Sequence, residues 1–470
     1  MKFLLALMLL LPSAYAVSIK DYDHYNYDVF FTNPKCEGYE YKETVYSFDG
    51  KPLNSKPADV YCKYSDAKKN QKLKSSPHYN IKKLVSDKSL KELRMAYLSF
   101  SSSDILKTLC KETITKNNTK VSLIVDKGNK TDEKKMEKIQ SLLGCKPDKK
   151  YIDAGIANYP SVEFRGQVGG IGYAHNKIIM ATYKKSADKV TIVYSSANMS
   201  SGTVLHHENW HFLTTSTKSY FAQAHVCILD GMKNHAVSIR SNRALGRKKM
   251  SAIQNFKTYI KNCRAAIVNE PESDIKLSIV PSDGDKAMTN IVQQIEKSKR
   301  VSIAVHRFSH KSLITALKKA GKNKKQTVRF IADDDIFWSG KANEMENGRI
   351  DCNPNRNPGA VPRVGANMCN EYFNVISLSR SKVDVKYMQT NQSLFLLHHN
   401  KYIIFEYPDG SGALHCGAGN FTKAAFSKNF ENYYFITIPE VVEKFKKQYD
   451  HVWNDLATSE KDLPSEQTLP

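Results

Sequence analysis

The sequence has no apolar run approaching the ~20 residues that a membrane-spanning helix requires. Acidic residues are in the minority, 47 Asp+Glu against 70 Lys+Arg, for a formal charge of +23 over 470 residues. That excess is spread as single and paired lysines, which favours polyanionic partners (nucleic acid or an anionic lipid surface) or simply a solvated, Lys-rich surface. Its nine cysteines lack the paired close spacing of a zinc site. No obvious amphipathic membrane-binding helix stands out. What the chain does have is core-forming material, 41% hydrophobic and 10% aromatic residues, and this excludes wholesale disorder.

The first residues speak to the compartment. Lys2, an apolar stretch over residues 3–11, Pro12 and the small-residue pattern Ala14-Tyr15-Ala16 make a charged, then apolar, then cleavable secretory signal over residues 1–16. No cysteine follows it, so lipoprotein anchoring is not expected, and the mature chain should begin near Val17 outside the cytoplasm. An oxidising destination suits nine cysteines, of which one must stay unpaired. Short-loop pairing in chain order would join 36–62, 110–145, 227–263 and 352–369, leaving Cys416 on an apolar strand. Spacing alone does not determine that connectivity.

The two halves repeat each other. A strand over residues 93–100, a helix and a strand over 121–126 recur as a strand over 301–308, a helix and a strand over 327–333. Phe100 to Phe308 is 208 positions and Asp126 to Asp333 is 207. Near-equal offsets across a strand–helix–strand unit indicate duplication, and the alternation predicts an α/β fold with a mixed or parallel sheet in each half. Ala265 to Ser273, with its proline and acidic patch, is the expected junction. This divides the mature chain into 17–268, a Tyr- and Lys-rich extension plus the first domain, and 269–470.

Polar clusters repeat too. His175-Asn176-Lys177 returns as His399-Asn400-Lys401, Ser195-Ser196-Ala197-Asn198 as Gly417-Ala418-Gly419-Asn420, and Glu208-Asn209 as Glu431-Asn432, at offsets of 224, 222 and 223. On a strand, His and Lys at i, i+2 share a face, so each pair is expected to point into one cavity. A lone histidine on an apolar strand is usually a satisfied core residue. Two matched copies, each followed by Asn and Glu, argue against that.

This doubled His-x-Lys resembles the phospholipase D superfamily over about residues 90–450. The resemblance implies two repeated domains, each a mixed sheet flanked by helices, related by a pseudo-twofold axis around one shared site. Three positions depart from the family pattern: the Asp expected beyond each Lys is Thr182 and Glu406, and the Ser of the second Gly-Ser segment is Ala418.

Phosphodiester hydrolysis needs a nucleophile, a proton donor and positive charge on the phosphoryl oxygens. One imidazole can attack phosphorus while the other protonates the leaving oxygen; the resemblance assigns these roles to His175 and His399. Lys177 and Lys401 supply charge, Asn198, Asn420 and Ser196 bind phosphate oxygens, and Glu208 and Glu431 orient the imidazoles. No metal or cofactor is required, because the lysines fill that electrostatic role. The expected substrate is a phospholipid first and a nucleic acid second. Peripheral contact with an anionic membrane and a monomeric chain complete the expectation, and a non-catalytic polyanion binder is the alternative of another class.

Smaller features carry their own expectations. His207-Glu208-Asn209-Trp210-His211 spells the helical zinc-protease motif, but its second-half counterpart is rich in aromatic and β-branched residues and predicts a strand. His398 is expected to be structural, and the sequons at Asn198 and Asn420 coincidental. The second half is 17 residues longer between its Asp and His, an excess that falls within about 338–372, read either as a loop shaping the substrate site or as a surface insert. The tail beyond Leu456 is expected to fray.

Overall fold

The computed structural model describes residues 17–22, 25–34, 45–46, 52–54, 65–237, 239–240, 249–337, 339–340, 366–388 and 397–463. The expected signal segment lies outside the described residues, as do Cys36, Cys62, Cys352 and most of the 338–372 stretch.

Two eight-stranded sheets organise the described residues. The first holds β1 (Val17–Tyr22), β2 (Tyr25–Thr32), β3 (Leu90–Tyr97), β4 (Lys120–Asp126), β5 (Ser161–Arg165), β6 (Lys177–Tyr183), β7 (Lys189–Ser195) and β8 (Glu208–Ser216). Their order is β1-β2-β8-β7-β6-β3-β4-β5. The second holds β9 (Ile275–Val280), β10 (Arg300–Val305), β11 (Thr327–Asp333), β12 (Asp384–Met388), β13 (Tyr402–Glu406), β14 (Gly412–Gly417), β15 (Glu431–Ile436) and β16 (Ala457–Ser459). It runs β9-β15-β14-β13-β10-β11-β12-β16. In each sheet three strands are parallel, β3-β4-β5 and β10-β11-β12, and the remaining neighbours are antiparallel. The predicted α/β fold of two mixed sheets is therefore present, with the strands displaced by a few residues from their expected bounds.

The repeat reaches further toward the N-terminus than the residue pattern suggests. Antiparallel to β8 runs β2, and antiparallel to β15 runs β9. The stretch ahead of residue 88, expected to be an extension packed on the first domain, thus supplies a strand of the repeated unit. It was hidden because 57 residues separate β2 from β3, whereas 19 separate β9 from β10. The C-terminal expectation also needs correcting. β16 pairs with β12, and Leu463 beyond it is buried, so residues 457–463 are held by ladder bonds and apolar contact.

Strand periodicity sorts the side chains into cores. In β6, Ile178 and Met180 face one cluster and Ile179 and Ala181 another; in β13, Tyr402 and Ile404 face the first and Ile403 and Phe405 a third. The shared cluster takes residues from both sheets and from the helices Tyr220–Asp230, Ala252–Ala265 and Pro439–His451, and it joins the halves into one body. Cys110–Cys145 and Cys227–Cys263 are bridged as chain order suggests, Cys369 is also disulfide-bonded, and Cys416 is free and buried. Among the described residues no helix is long and apolar enough to cross a membrane.

Candidate active site

Antiparallel register gathers the repeated motifs at one end of each sheet. Tyr194 lies opposite Ile178, and Trp210 opposite Ser195, so Lys177, the 196–199 loop and Glu208 all leave the first sheet together. In the second sheet Cys416 lies opposite Tyr402 and Tyr433 opposite Gly417, which does the same for Lys401, Asn420 and Glu431. The two ends then meet through short parallel bridges, Ala174 with Phe430 and His207 with His398. His175 N donates to Phe430 O at 2.9 Å, and His399 N donates to His207 O at 3.0 Å. Neither histidine lies within a strand as expected. β6 begins at Lys177 and β13 at Tyr402, because the preceding residues pair with the opposite half instead of their own sheet.

The side chains cross between halves in the same way. His175 Nδ1 lies 2.8 Å from Glu431 Oε2, and His399 Nδ1 lies 2.9 Å from Glu208 Oε1 and 3.1 Å from its Oε2. Asn176 Nδ2 donates to Asn432 Oδ1 at 3.1 Å, and Asn209 Nδ2 donates to Asn400 Oδ1 at 2.9 Å. Each carboxylate fixes the ring that the other half supplies, and each Asn pair fastens the backbone beneath it. Asp126 and Asp333, at the ends of β4 and β11, accept from Ala174 N at 2.7 Å and His398 N at 2.6 Å. They clamp the residue before each histidine. The matched offset of Asp126 and Asp333 was visible in the sequence, but their clamping role was not.

Both lysines are buried and folded onto their own motif. Lys177 Nζ donates to His175 O at 2.8 Å and lies 3.3 Å from His175 Nε2, while Lys401 Nζ donates to His399 O at 2.5 Å. Burial pushes Lys177 down to about 8, against the raising effect of Glu431 and Glu208. Lys401 is pushed well below the ordinary lysine range by burial, with Lys177 adding to the effect. Burial likewise lowers His175, which Glu431 partly restores, and lowers His399 strongly, helped by Lys401 and His206. The charge of Lys401 acts on His175 and that of His175 on His399, so the four groups share one enclosed space.

The departures at Ala418 and at Glu406 have separate explanations. Ser196 Oγ donates to Glu208 Oε2 at 2.6 Å and accepts from Asn209 N at 3.0 Å. Its hydroxyl proton is therefore committed, and the expected phosphate contact by Ser196 is corrected to support of Glu208. Ala418 has no hydroxyl, and Glu431 is held instead by Asn429 Nδ2 at 3.0 Å from Oε1. Gly417 has φ +149°, and a Cβ there would come within 2.2 Å of Asn432 O, which explains glycine where the first half has Ser195. Glu406, at the far end of β13 from Lys401 (about 16 Å of strand), pairs with Arg300 and Lys446. It is remote from the histidines.

Asn198 and Asn420 sit half-buried on the loops after β7 and β14, each with a buried Oδ1 that has no hydrogen-bond partner among the described residues. His211 lies on β8, not a helix, and its Nδ1 is 2.7 Å from Tyr27 OH in the inter-sheet core. His207 and His211 therefore share no helix face. His398 is buried with its ring 6.2 Å from that of His207. Among the described residues Asp333, Asp334 and Asp335 form a group close enough to hold a cation.

Residues 291–453 match a family model described as cardiolipin synthase, phospholipase D-like domain. No curated protein matches the chain. Among solved structures, phosphatidylserine synthase of Haemophilus influenzae Rd KW20 is similar over 82% of this chain and 85% of its own, at 13% identity and a TM-score of 0.52. Yeast tyrosyl-DNA phosphodiesterase is similar over 76% of this chain and 86% of its own, at 11% identity and a TM-score of 0.41. Polyphosphate kinase of Porphyromonas gingivalis is similar over 81% of this chain at 12% identity and a TM-score of 0.44, and this chain spans about half (49%) of its length. Residues 291–453 thus match a phospholipase D-like domain by sequence, and the two sheets together give the chain a fold similar to that of phosphatidylserine synthase.

Proposed function

We propose that the chain is an exported phosphodiesterase working through a phosphohistidine, with phospholipids as its first substrate class. The observation that carries this reading is the crossed Glu431–His175 and Glu208–His399 pairing. With each Nδ1 turned to a carboxylate, the opposite nitrogen, Nε2, is the one left for chemistry. His175 Nε2 attacks phosphorus, and the leaving alkoxide takes the proton of His399 Nε2. Water then gives that proton back to His399 as its oxygen bonds to phosphorus and the P–N bond breaks, returning the electron pair to His175. Lys177 and Lys401 neutralise the phosphoryl oxygens, and the amides of Asn198 and Asn420 direct hydrogen bonds at them.

The family description over residues 291–453 supports the phospholipid assignment. Export is supported by the signal pattern over residues 1–16 and by the two described disulfides. Pure protein in chelator, given mixed phospholipid vesicles and plasmid DNA separately, tests the substrate. Headgroup release is expected. DNA cleavage without headgroup release replaces the lipid with a nucleic acid, as the charge of +23 would favour. No turnover of either leaves a polyanion binder.

A further inference from the structure

The two halves of the site are not equivalent around their histidines. Phe100 bridges Met199 as Phe308 bridges Phe421, and Ala96 lies opposite Ile178 as Ala304 lies opposite Tyr402. This register makes His306 the counterpart of Leu98 and His206 the counterpart of Asn429. The His399 side therefore carries two imidazoles that the His175 side lacks. The His306 ring centre is 4.7 Å from that of His399, tilted by 56°, and the His206 ring centre is 6.0 Å away. His206 Nδ1 lies 3.4 Å from Glu208 Oε1, so it shares the carboxylate that holds His399. His306 is different: its Nδ1 is buried with no hydrogen-bond partner among the described residues.

A polar nitrogen enclosed without a partner is costly and calls for an explanation, of which a water or ligand that bonds it in the working site is one. The ring is also held in place. Its neighbour Arg307 bonds Glu371 at 2.6 Å through Nε and accepts from Phe421 N through its carbonyl at 3.2 Å. Burial beside His399 and Lys401 keeps the His306 imidazole neutral, the state in which one ring nitrogen accepts a hydrogen bond.

We propose that His306 is the water-binding residue of the second step, receiving a hydrogen bond from the water that attacks the phosphohistidine. The attacking O–H next to His399 gives its proton to His399 Nε2, and the P–N bond to His175 breaks. His306 accepts a hydrogen bond from the remaining hydrogen of water and exchanges no proton itself; an alcohol, with no second O–H, gains nothing from it. The asymmetry has a chemical reason, since the water arrives only on the side of the general acid–base group.

The proposal rests on the phosphodiesterase reading, and its test separates the two. Bis(p-nitrophenyl) phosphate is given to the full-length chain in buffer with and without ethanol, and the ratio of ethyl p-nitrophenyl phosphate to p-nitrophenyl phosphate is measured with the turnover rate. His306→Leu, which installs the first half's residue, is expected to slow turnover about tenfold and to shift the ratio toward the ethyl ester. His306→Asn, which keeps an acceptor near the Nδ1 position, is expected to stay within about threefold of the wild type. A wild-type chain that turns over no diester overturns the phosphodiesterase reading. A wild-type chain that turns it over, beside a His306→Leu chain of unchanged rate and unchanged ratio, overturns the water-binding assignment alone. A His306→Asn chain as impaired as His306→Leu, with the wild-type ratio in both, likewise overturns it, since only packing was then lost.

Discussion

His175 Nδ1 lies 2.8 Å from Glu431 Oε2, although 256 residues separate the two in sequence. The mirrored contact, His399 with Glu208, spans 191 residues in the opposite sense. Neither half can orient its own imidazole, and a site of this kind exists only when both halves are folded against each other. Replacement of either carboxylate by an amide, Glu431→Gln or Glu208→Gln, is expected to lower kcat by about 10–100-fold with KM little changed. Steady-state kinetics on a soluble diester check this, and a loss confined to KM would assign the carboxylates to substrate binding.

Asn432 Oδ1 accepts from Asn176 Nδ2 at 3.1 Å and from Lys177 N at 3.3 Å, all three buried. Asn432→Ala leaves two enclosed donors without a partner and is expected to cost about 1–3 kcal/mol each way the loss is shared. Denaturant unfolding measures it. In a double-mutant cycle, Asn176→Ala should couple to Asn432→Ala and not to Asn209→Ala.

Anion binding should depend on pH through the buried lysines. Lys177 titrates at about 8 in the free site, below its ordinary value, because burial disfavours its charge. A phosphate anion favours the charged form, so binding takes up a proton once the pH exceeds that value. Through Lys177, affinity for vanadate or phosphate is expected to fall by up to about tenfold per pH unit above pH ~8. Inhibition constants across pH 7–10, with calorimetry in two buffers of different ionisation heat, show the slope and the proton.

Much of this site could be read from the residues, for a physical reason. Duplication preserves spacing inside a strand–helix–strand unit, so Asp126 and Asp333 and the two His-Asn-Lys motifs announced each other. Crossing could not be read, since offsets within halves carry no information on which half faces which. The role of Ser196 was misread because a hydroxyl beside a phosphate motif invites a phosphate, whereas Glu208 had the stronger claim on its proton. β2 escaped because the 57 residues after it broke the offset, and β16 because a short polar strand has no hydrophobic alternation to show. His306 carried no signal at all: its counterpart is Leu98, and the repeat was recognised by identities, not by differences.

Cys110–Cys145 closes 35 residues and Cys227–Cys263 closes 36. By loop entropy each should stabilise the fold by about 3–4 kcal/mol. Paired Cys→Ser variants, compared by denaturant unfolding, are expected to lose about that much. Cys416 is buried and its thiol is raised well above the ordinary range, so it should resist alkylation until the chain unfolds.

The convergence of both histidines on one phosphorus is most directly tested by locating the covalent intermediate. The wild-type chain is mixed with a phosphodiester, quenched in base to preserve phosphohistidine, digested and mapped by mass spectrometry, beside His175→Ala and His399→Ala. The account predicts phosphoryl on His175 in the wild type and none in His175→Ala, with turnover lost in both variants. Phosphoryl on His399, or full turnover by a chain lacking either ring, would contradict it.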